Sequence, residues 1–216
     1  LRHLINEPPQ LGERRVTLRL PATPTLMLAW HKPAPPDPAD VRAEVLAQVL
    51  TGGRSARWFE QFIKRERLAS DVAVFTAPGD MLDNLFIVYA NPQEGVTLER
   101  LEASLRTAVA RLREELIGAE ELERARKILR ADTIRALETN LGLARRLAEA
   151  TLVGRDPYYL EKRLRELHAV QPGELREFAR QYLIDDNLTV GLLTPPPATG
   201  AAPEEAGSVK STAALD

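Results

Sequence analysis

A chain of 216 residues with 44% hydrophobic and 28% charged residues can bury a substantial core, and that composition argues against general disorder. The formal net charge of -2 leaves no concentrated basic surface for a polyanion, and the absence of cysteine excludes disulfides, thiolate metal sites and cysteine nucleophiles. Every apolar run is broken by charge well before the about 20 residues that a membrane-spanning helix needs.

Apolar and polar residues alternate from Arg14 to Leu20, which predicts a half-buried strand. Thr25 to His31 is more continuously apolar and predicts an interior strand. After the proline-rich break at Pro33 to Pro36, Asp37 is placed to cap a helix that starts with Pro38 and carries Val41, Val45, Leu46 and Val49 on one face. Gly52 and Gly53 end it. Ser55 is the expected cap of a second helix burying Phe59, Phe62 and Ile63. Two strands follow, Asp71 to Ala77 and Leu82 to Ala90, joined through Pro78, Gly79 and Asp80.

Thr97 opens a helix to about Glu115, and one long helix is expected from Glu120 to about Val153. Leu122, Ala125, Leu129, Thr133, Ala136, Asn140, Leu143 and Leu147 would form its seam, and polar Thr133 and Asn140 within the seam argue against a coiled coil. Asp156-Pro157 starts a helix to about Leu167, Pro172 to Leu183 forms another, and Asn187 to Leu193 returns as a strand. This order implies an α+β domain over residues 1–195, an open, mostly antiparallel or mixed sheet with helices layered against it. Residues 196–216 are poor in large apolar side chains and are expected to form a disordered tail whose removal leaves stability unchanged.

Candidate chemistry is sparse. His3, His31 and His168 are the three histidines, and none has a second histidine at the four-residue spacing that puts two metal ligands on one helix face. Glu120, Glu121 and Glu123 lie at a helix start, where acidic residues are favoured by the helix dipole without any catalytic duty. Ser55, after Gly52-Gly53-Arg54, lacks both the G-x-S-x-G of a nucleophile elbow and the lysine of a phosphate loop. Trp30 and Trp58 are expected as core or interface anchors. The residues themselves thus describe an α+β domain without a visible catalytic constellation, and no motif favours a carbohydrate- or nucleotide-binding module.

Four stretches, EPPQLGERRVTL (Glu7 to Leu18), TLMLAWHKP (Thr25 to Pro33), DVRAEVLAQVLTGGRSARWFEQFIKRERLASDVAVF (Asp40 to Phe75) and DDNLTVGLLTP (Asp185 to Pro195), carry a likeness in their order. With them the chain resembles the carboxy-terminal domain of pitrilysin/insulinase zinc metallopeptidases, the family that includes mitochondrial processing peptidase. The resemblance implies a LuxS/mitochondrial-processing-peptidase-like metallohydrolase fold and, in a different, amino-terminal domain, zinc held by an inverted H-x-x-E-H motif with peptide hydrolysis by zinc-activated water. No H-x-x-E-H occurs in this chain, so the resemblance carries no zinc ligand and no catalytic residue onto it, and the chain alone is expected to be inactive, without a cofactor and able to fold without metal. A family pair of Arg and Tyr, separated by six intervening residues, reaches the active site from the partner half. Aligned over FIKRERLAS, the pair falls on Ile63 and Ser70 and is absent. Neither side chain can replace it.

The resemblance therefore implies a wall of a substrate chamber, partnered by the amino-terminal catalytic domain of the same chain, by a related subunit or second copy, and by peptide substrate, with an apolar face exposed when the half is isolated. The alternative is a non-catalytic scaffold, like the respiratory-complex core subunits that resemble the family. Leu1 is not an initiator methionine, and the expectation is a fragment preceded by a related domain with an intact H-x-x-E-H. The 24-to-5 excess of arginine over lysine suggests a GC-rich bacterial genome, and for bacterial relatives with such a tail the expected location is the periplasm, with the cytoplasm as the alternative.

Overall fold

The computed structural model describes residues 8–196 except Asp80, Met81, Asp83, Arg155 and Pro157, so the expected tail lies almost entirely outside the described residues. Its centre is a five-stranded mixed sheet in the order β1-β5-β2-β4-β3. The strands are β1 (Arg14–Arg19), β2 (Thr25–Lys32), β3 (Ala69–Ala77), β4 (Asn84–Pro92) and β5 (Leu188–Thr194). All neighbours run antiparallel except β1 and β5, which pair in parallel from Arg14↔Thr189 to Arg19↔Thr194. That pairing joins the two ends of the domain and makes β1 an edge.

The register assigns each side chain to a face, because partners across a ladder point the same way. Leu28, Val190, Val88 and Val74 share one face and are buried. Val16, Met27, Gly191, Tyr89 and Ala73 share the other, as do Leu18 and Leu193. The helices gather on the first face. They are α1 (Pro38–Thr51), α2 (Leu98–Glu114), α3 (Ala119–Leu137), α4 (Asn140–Glu149), α5 (Tyr159–Ala169) and α6 (Pro172–Tyr182). Helix α1 packs on β3, while α2 and α6 pack on β2 and on each other. Helices α3 and α5 form an outer tier against α1. The expected α+β architecture is therefore present.

Local sequence explains most of the helix starts. Asp37 accepts from Ala39 N at 2.8 Å with Pro38 in the first turn, and Thr97 accepts from Arg100 N at 3.3 Å. Asp156 accepts from Tyr158 N at 2.8 Å ahead of α5.

Three expectations need correction. Strand β1 is not half-buried: all six residues are exposed, because it is an edge strand that α2 reaches only through the side chain of Glu102 on Arg15. The long helix breaks between Leu137 and Asn140, where Thr139 accepts from Gly142 N at 3.0 Å and caps a new helix, α4, which ends in a π-helical turn, Ala150–Gly154. Its seam is buried only at Leu122, Ala125 and Leu129, while Leu143 and Leu147 are 44% and 60% exposed. The segment after Ser55 is a π-helix, Phe59–Arg65, led by Trp58 without a side-chain cap bond, so Ser55 does not cap it. Wider winding still stacks Trp58 edge-on against Phe62, centroids 5.8 Å apart, and both are buried, whereas Phe59 and Ile63 are half-buried.

Candidate functional site

Each candidate residue lands where its neighbours define its work. Glu121 at the start of α3 accepts two bonds from the Arg57 guanidinium, at 3.0 and 2.6 Å, and one from Gly118 N at 3.1 Å. The carboxylate thus satisfies the amide of Gly118 at the N-cap and ties α3 to the approach of the π-helix. Arg57 holds the Glu121 carboxyl below its ordinary value against the opposing effect of burial. Glu123 faces Arg126, and Glu120 lies in the first turn of α3. Ser55 is exposed, its carbonyl accepting from Arg124 at 3.2 Å. Gly53 stands at φ 108, the left-handed region that favours glycine, so the Gly-Gly pair makes a turn. Trp30 and Trp58 are core residues.

His31 is the next-to-last residue of β2 and His168 lies in the last turn of α5, so the fold does not bring them together, and His3 is outside the described residues. Among the described residues no group of three or more His, Asp or Glu side chains is placed to hold a metal ion. The donors that the described residues bring together do not fit zinc. Ile63 packs half-buried against the core from the π-helix. Ser70 sits in β3, its hydroxyl within 3.4 Å of the Asn91 carbonyl and 3.3 Å of the Pro92 carbonyl. An aliphatic side chain and a hydroxyl committed to main-chain carbonyls can neither polarise nor orient a substrate carbonyl.

Sequence reasoning missed a buried ionic cluster. Lys32 Nζ, on a side chain 0% exposed, donates to Asp40 Oδ1 at 2.5 Å and to the Pro33 carbonyl at 3.1 Å. Arg163 of α5 contacts Asp40 Oδ2 at 2.8 Å and Glu44 Oε2 at 2.6 Å. Burial works to lower the Arg163 pKa, but Glu44 and Asp40 outweigh it and hold the group above its ordinary value. The signal lay in the sequence: Lys32 continues the inward positions of Leu26, Leu28 and Trp30, two residues apart. Beside it opens a cleft of about 390 Å³, lined in part by His31, Lys32, Pro33, Tyr182, Asp186 and Asn187. With every charge of the cluster paired, it behaves as a brace between β2, α1 and α5.

A second ionic knot fixes the edge strand. Glu102 of α2 accepts from Arg15 of β1 at 3.0 and 2.6 Å and from Arg106 at 2.9 Å. Burial raises the Glu102 carboxyl, yet the two arginines win and leave it below its ordinary value. A lowered native pKa contributes stability that is present above the ordinary carboxylate value of 4.5 and is lost as pH falls through the native one. Urea unfolding should therefore show stability falling between about pH 5 and pH 3. Glu102→Gln/Glu121→Gln should be less stable than the parent at neutral pH and lose less on acidification. Parallel losses in both proteins would show that neither carboxylate matters.

A model of the family described as the peptidase M16 inactive domain matches residues 2–129, more than half of the chain. The chain belongs to this family. The likeness to carboxy-terminal domains of pitrilysin/insulinase peptidases read from Glu7 to Phe75 thus falls within the matched span. Among solved structures, a protease from Helicobacter pylori is 22% identical with a TM-score of 0.80, covering 88% of this chain and 46% of that one. The inactive peptidase domain of a candidate zinc protease from Bordetella parapertussis is 24% identical with a TM-score of 0.72, covering 88% of this chain and 99% of that one. The peptidase M16 inactive domain from Pseudomonas fluorescens is 16% identical with a TM-score of 0.76, covering 92% and 47%. These likenesses carry the fold. The M16 inactive domain seen in this chain spans about half the length of the Helicobacter and Pseudomonas proteins. No protein of curated function matches the chain.

Proposed function

We propose that this M16 inactive domain is the carboxy-terminal, non-catalytic half of a zinc metalloendopeptidase subunit, forming one wall of the substrate chamber and buttressing an amino-terminal domain that bears the zinc. The observation that carries the reading is the open sheet face. All the helices that pack on the sheet lie on one side of it, while the other presents Val16, Leu18, Met27 and Phe75, exposed by 52%, 56%, 37% and 40%. A continuous apolar face of this kind is costly in water and fits a protein neighbour. The match to only about half of longer relatives supports an amino-terminal domain as that neighbour. On this reading the peptide-bond chemistry belongs to the other half, a related subunit or second copy completes the chamber with the Arg and Tyr that Ile63 and Ser70 do not provide, and the protein works in a bacterial periplasm.

These 216 residues hold no cysteine, so a single thiol introduced into the isolated chain reports the face cleanly, and any cysteine elsewhere in the longer protein is replaced by serine for the comparison. Met27→Cys and Phe75→Cys should react rapidly with a maleimide in the isolated chain and at least about tenfold more slowly in the longer protein, as expected when a partner domain excludes water. The longer coding sequence should specify H-x-x-E-H upstream, and its product should hold about one zinc per chain. Equal labelling rates would remove the open face as the inter-domain surface. A domain upstream without the ligands would leave the scaffold role in place of the peptidase.

A further inference from the structure

Helix α4 is turned inside out. Gly142 packs so closely on the end of α3 that an added Cβ would stand 1.8 Å from the Ala136 carbonyl oxygen, which marks the inward side of the helix. Arg146 and Glu149, four and seven residues on, share that half-buried side and pair at 2.8 Å. The opposite side carries Leu141, Ala144, Leu147 and Ala148, all of them exposed, Leu141 by 81% and Leu147 by 60%. Leu143 at its edge and Leu152 in the π-helical turn that follows are exposed as well. A surface helix ordinarily sets its apolar stripe against the core and its charges in water, so this reversal marks a face that a neighbour covers.

The helix belongs to an arm. Burial along α3 ends at Leu129, and the remaining turns to Leu137 bury no side chain, nor does any part of α4. Leu129 lines a cleft of about 470 Å³ together with Val74, Phe75 and Thr76 of the edge strand β3. The arm therefore leaves the domain at the β3 edge of the sheet, beside Phe75 of the open face, and a neighbour lying on that face meets the arm round the edge. Area narrows the choice of neighbour. A helix of 10 residues is about 15 Å long and about 10 Å wide, a footprint of roughly 150 Å², whereas a free partner needs about 800 Å². Such a face does not retain a second copy from solution, but it retains a domain of the same chain, which the tether holds at about millimolar effective concentration.

We propose that the arm made of the end of α3 and of α4 is a second contact with the amino-terminal half of the longer subunit, its leucines seated in an apolar groove of that half. Arg145 at the edge of the face is exposed and forms no ion pair among the described residues, so the groove carries a carboxylate at its rim. The proposal rests on the reading of this chain as one half of such a subunit and adds to it a contact on the helical side. Two contacts at an angle, sheet face and arm, restrict rotation between the halves more than a single flat face does.

Thiols placed on the arm test it. Leu141→Cys and Leu147→Cys, at exposed positions, should react with a maleimide at least about tenfold more slowly in the longer protein than in the isolated chain, and dilution should not change the ratio. Phe75→Cys serves as the reference on the sheet face, with any other cysteine of the longer protein replaced by serine. Adding Leu147→Asp should speed the labelling of Leu141→Cys in the longer protein at least about threefold, because a carboxylate does not enter an apolar groove, and should leave the circular dichroism of the isolated chain unchanged. Protection of Phe75→Cys without protection of the arm thiols would overturn the arm contact and leave the half-subunit reading intact. Fast reaction at all three positions would remove both. Arm protection that arises in the isolated chain and grows with its concentration would assign the face to a second copy. Protection that arises only with phosphatidylethanolamine–phosphatidylglycerol vesicles would assign it to a membrane surface. Either result overturns the choice of neighbour.

Discussion

Asp40→Asn should destabilise the domain by about 3–5 kcal/mol, the range for removing one partner of a buried ionic group. Asp40 is the shared anion between Lys32 and Arg163, with its side chain 4% exposed and that of Lys32 0% exposed. Without it the Lys32 ammonium keeps the Pro33 carbonyl but no counter-charge, while Arg163 retains Glu44. Desolvated charge without a counter-charge is the costly state, and the attraction that offset it is gone. Lys32→Met should cost less, because Arg163 still neutralises Asp40. Lys32→Met/Asp40→Leu/Arg163→Met should return to within about 1–2 kcal/mol of the parent, since an apolar replacement removes desolvation cost together with attraction. Urea unfolding of the three variants ranks them. An Asp40→Asn protein as stable as Lys32→Met would show that water reaches the cluster and that the brace does not depend on charge.

The same cluster shows where sequence reading stops. The starts of α1 and α2 were legible because Asp37, Pro38 and Thr97 act on amides two or three residues away. Strand β2 was legible because its run from Thr25 to His31 is almost continuously apolar. Burial of β1 was not, since alternation in RRVTLRL says that two faces differ and not that either is covered. Whether it is covered depends on a pairing with β5 from Arg14↔Thr189 onward, and on where the helices stop. The break before α4 had a weak signal in Thr139 and Gly142, outweighed by helix-forming residues on both sides. Winding as a π-helix over Phe59–Arg65 has no periodic signature, because Phe59, Phe62 and Ile63 also suit an ordinary helix.

For the site, the residues that sequence singled out became caps, core and surface. What guides function came from assembly. Apolar exposure at Val16, Leu18, Met27 and Phe75 exists only because strands distant in sequence put those side chains on one face. Family membership was legible earlier because it rests on the order of whole segments, a pattern that survives when no single residue is diagnostic.

Phe178→Ala should be the most damaging change on the helical side, costing about 3–5 kcal/mol. Phe178 lies on α6, 2% exposed, with its ring 5.8 Å from Phe86 at 62° and 5.2 Å from Tyr182 at 39°. Phe86 in turn meets Trp30 at 6.4 Å, so the four rings run from β2 through β4 to α6. Truncation removes the buried area and opens a cavity between sheet and helix that α6 cannot fill, since α2 holds it on its other side. It also releases Tyr182, which lines the cleft beside Lys32, so loosening should spread to the Asp186 and Asn187 turn. A domain of this size should melt on the order of 10 °C lower. Phe178→Leu, which keeps most of the volume but loses the edge-on contact with Phe86, should cost about 1–2 kcal/mol. Thermal unfolding of the two variants separates volume from aromatic geometry. If Leu and Ala cost the same, ring stacking and not filled volume holds α6 on the sheet, and the cavity argument fails.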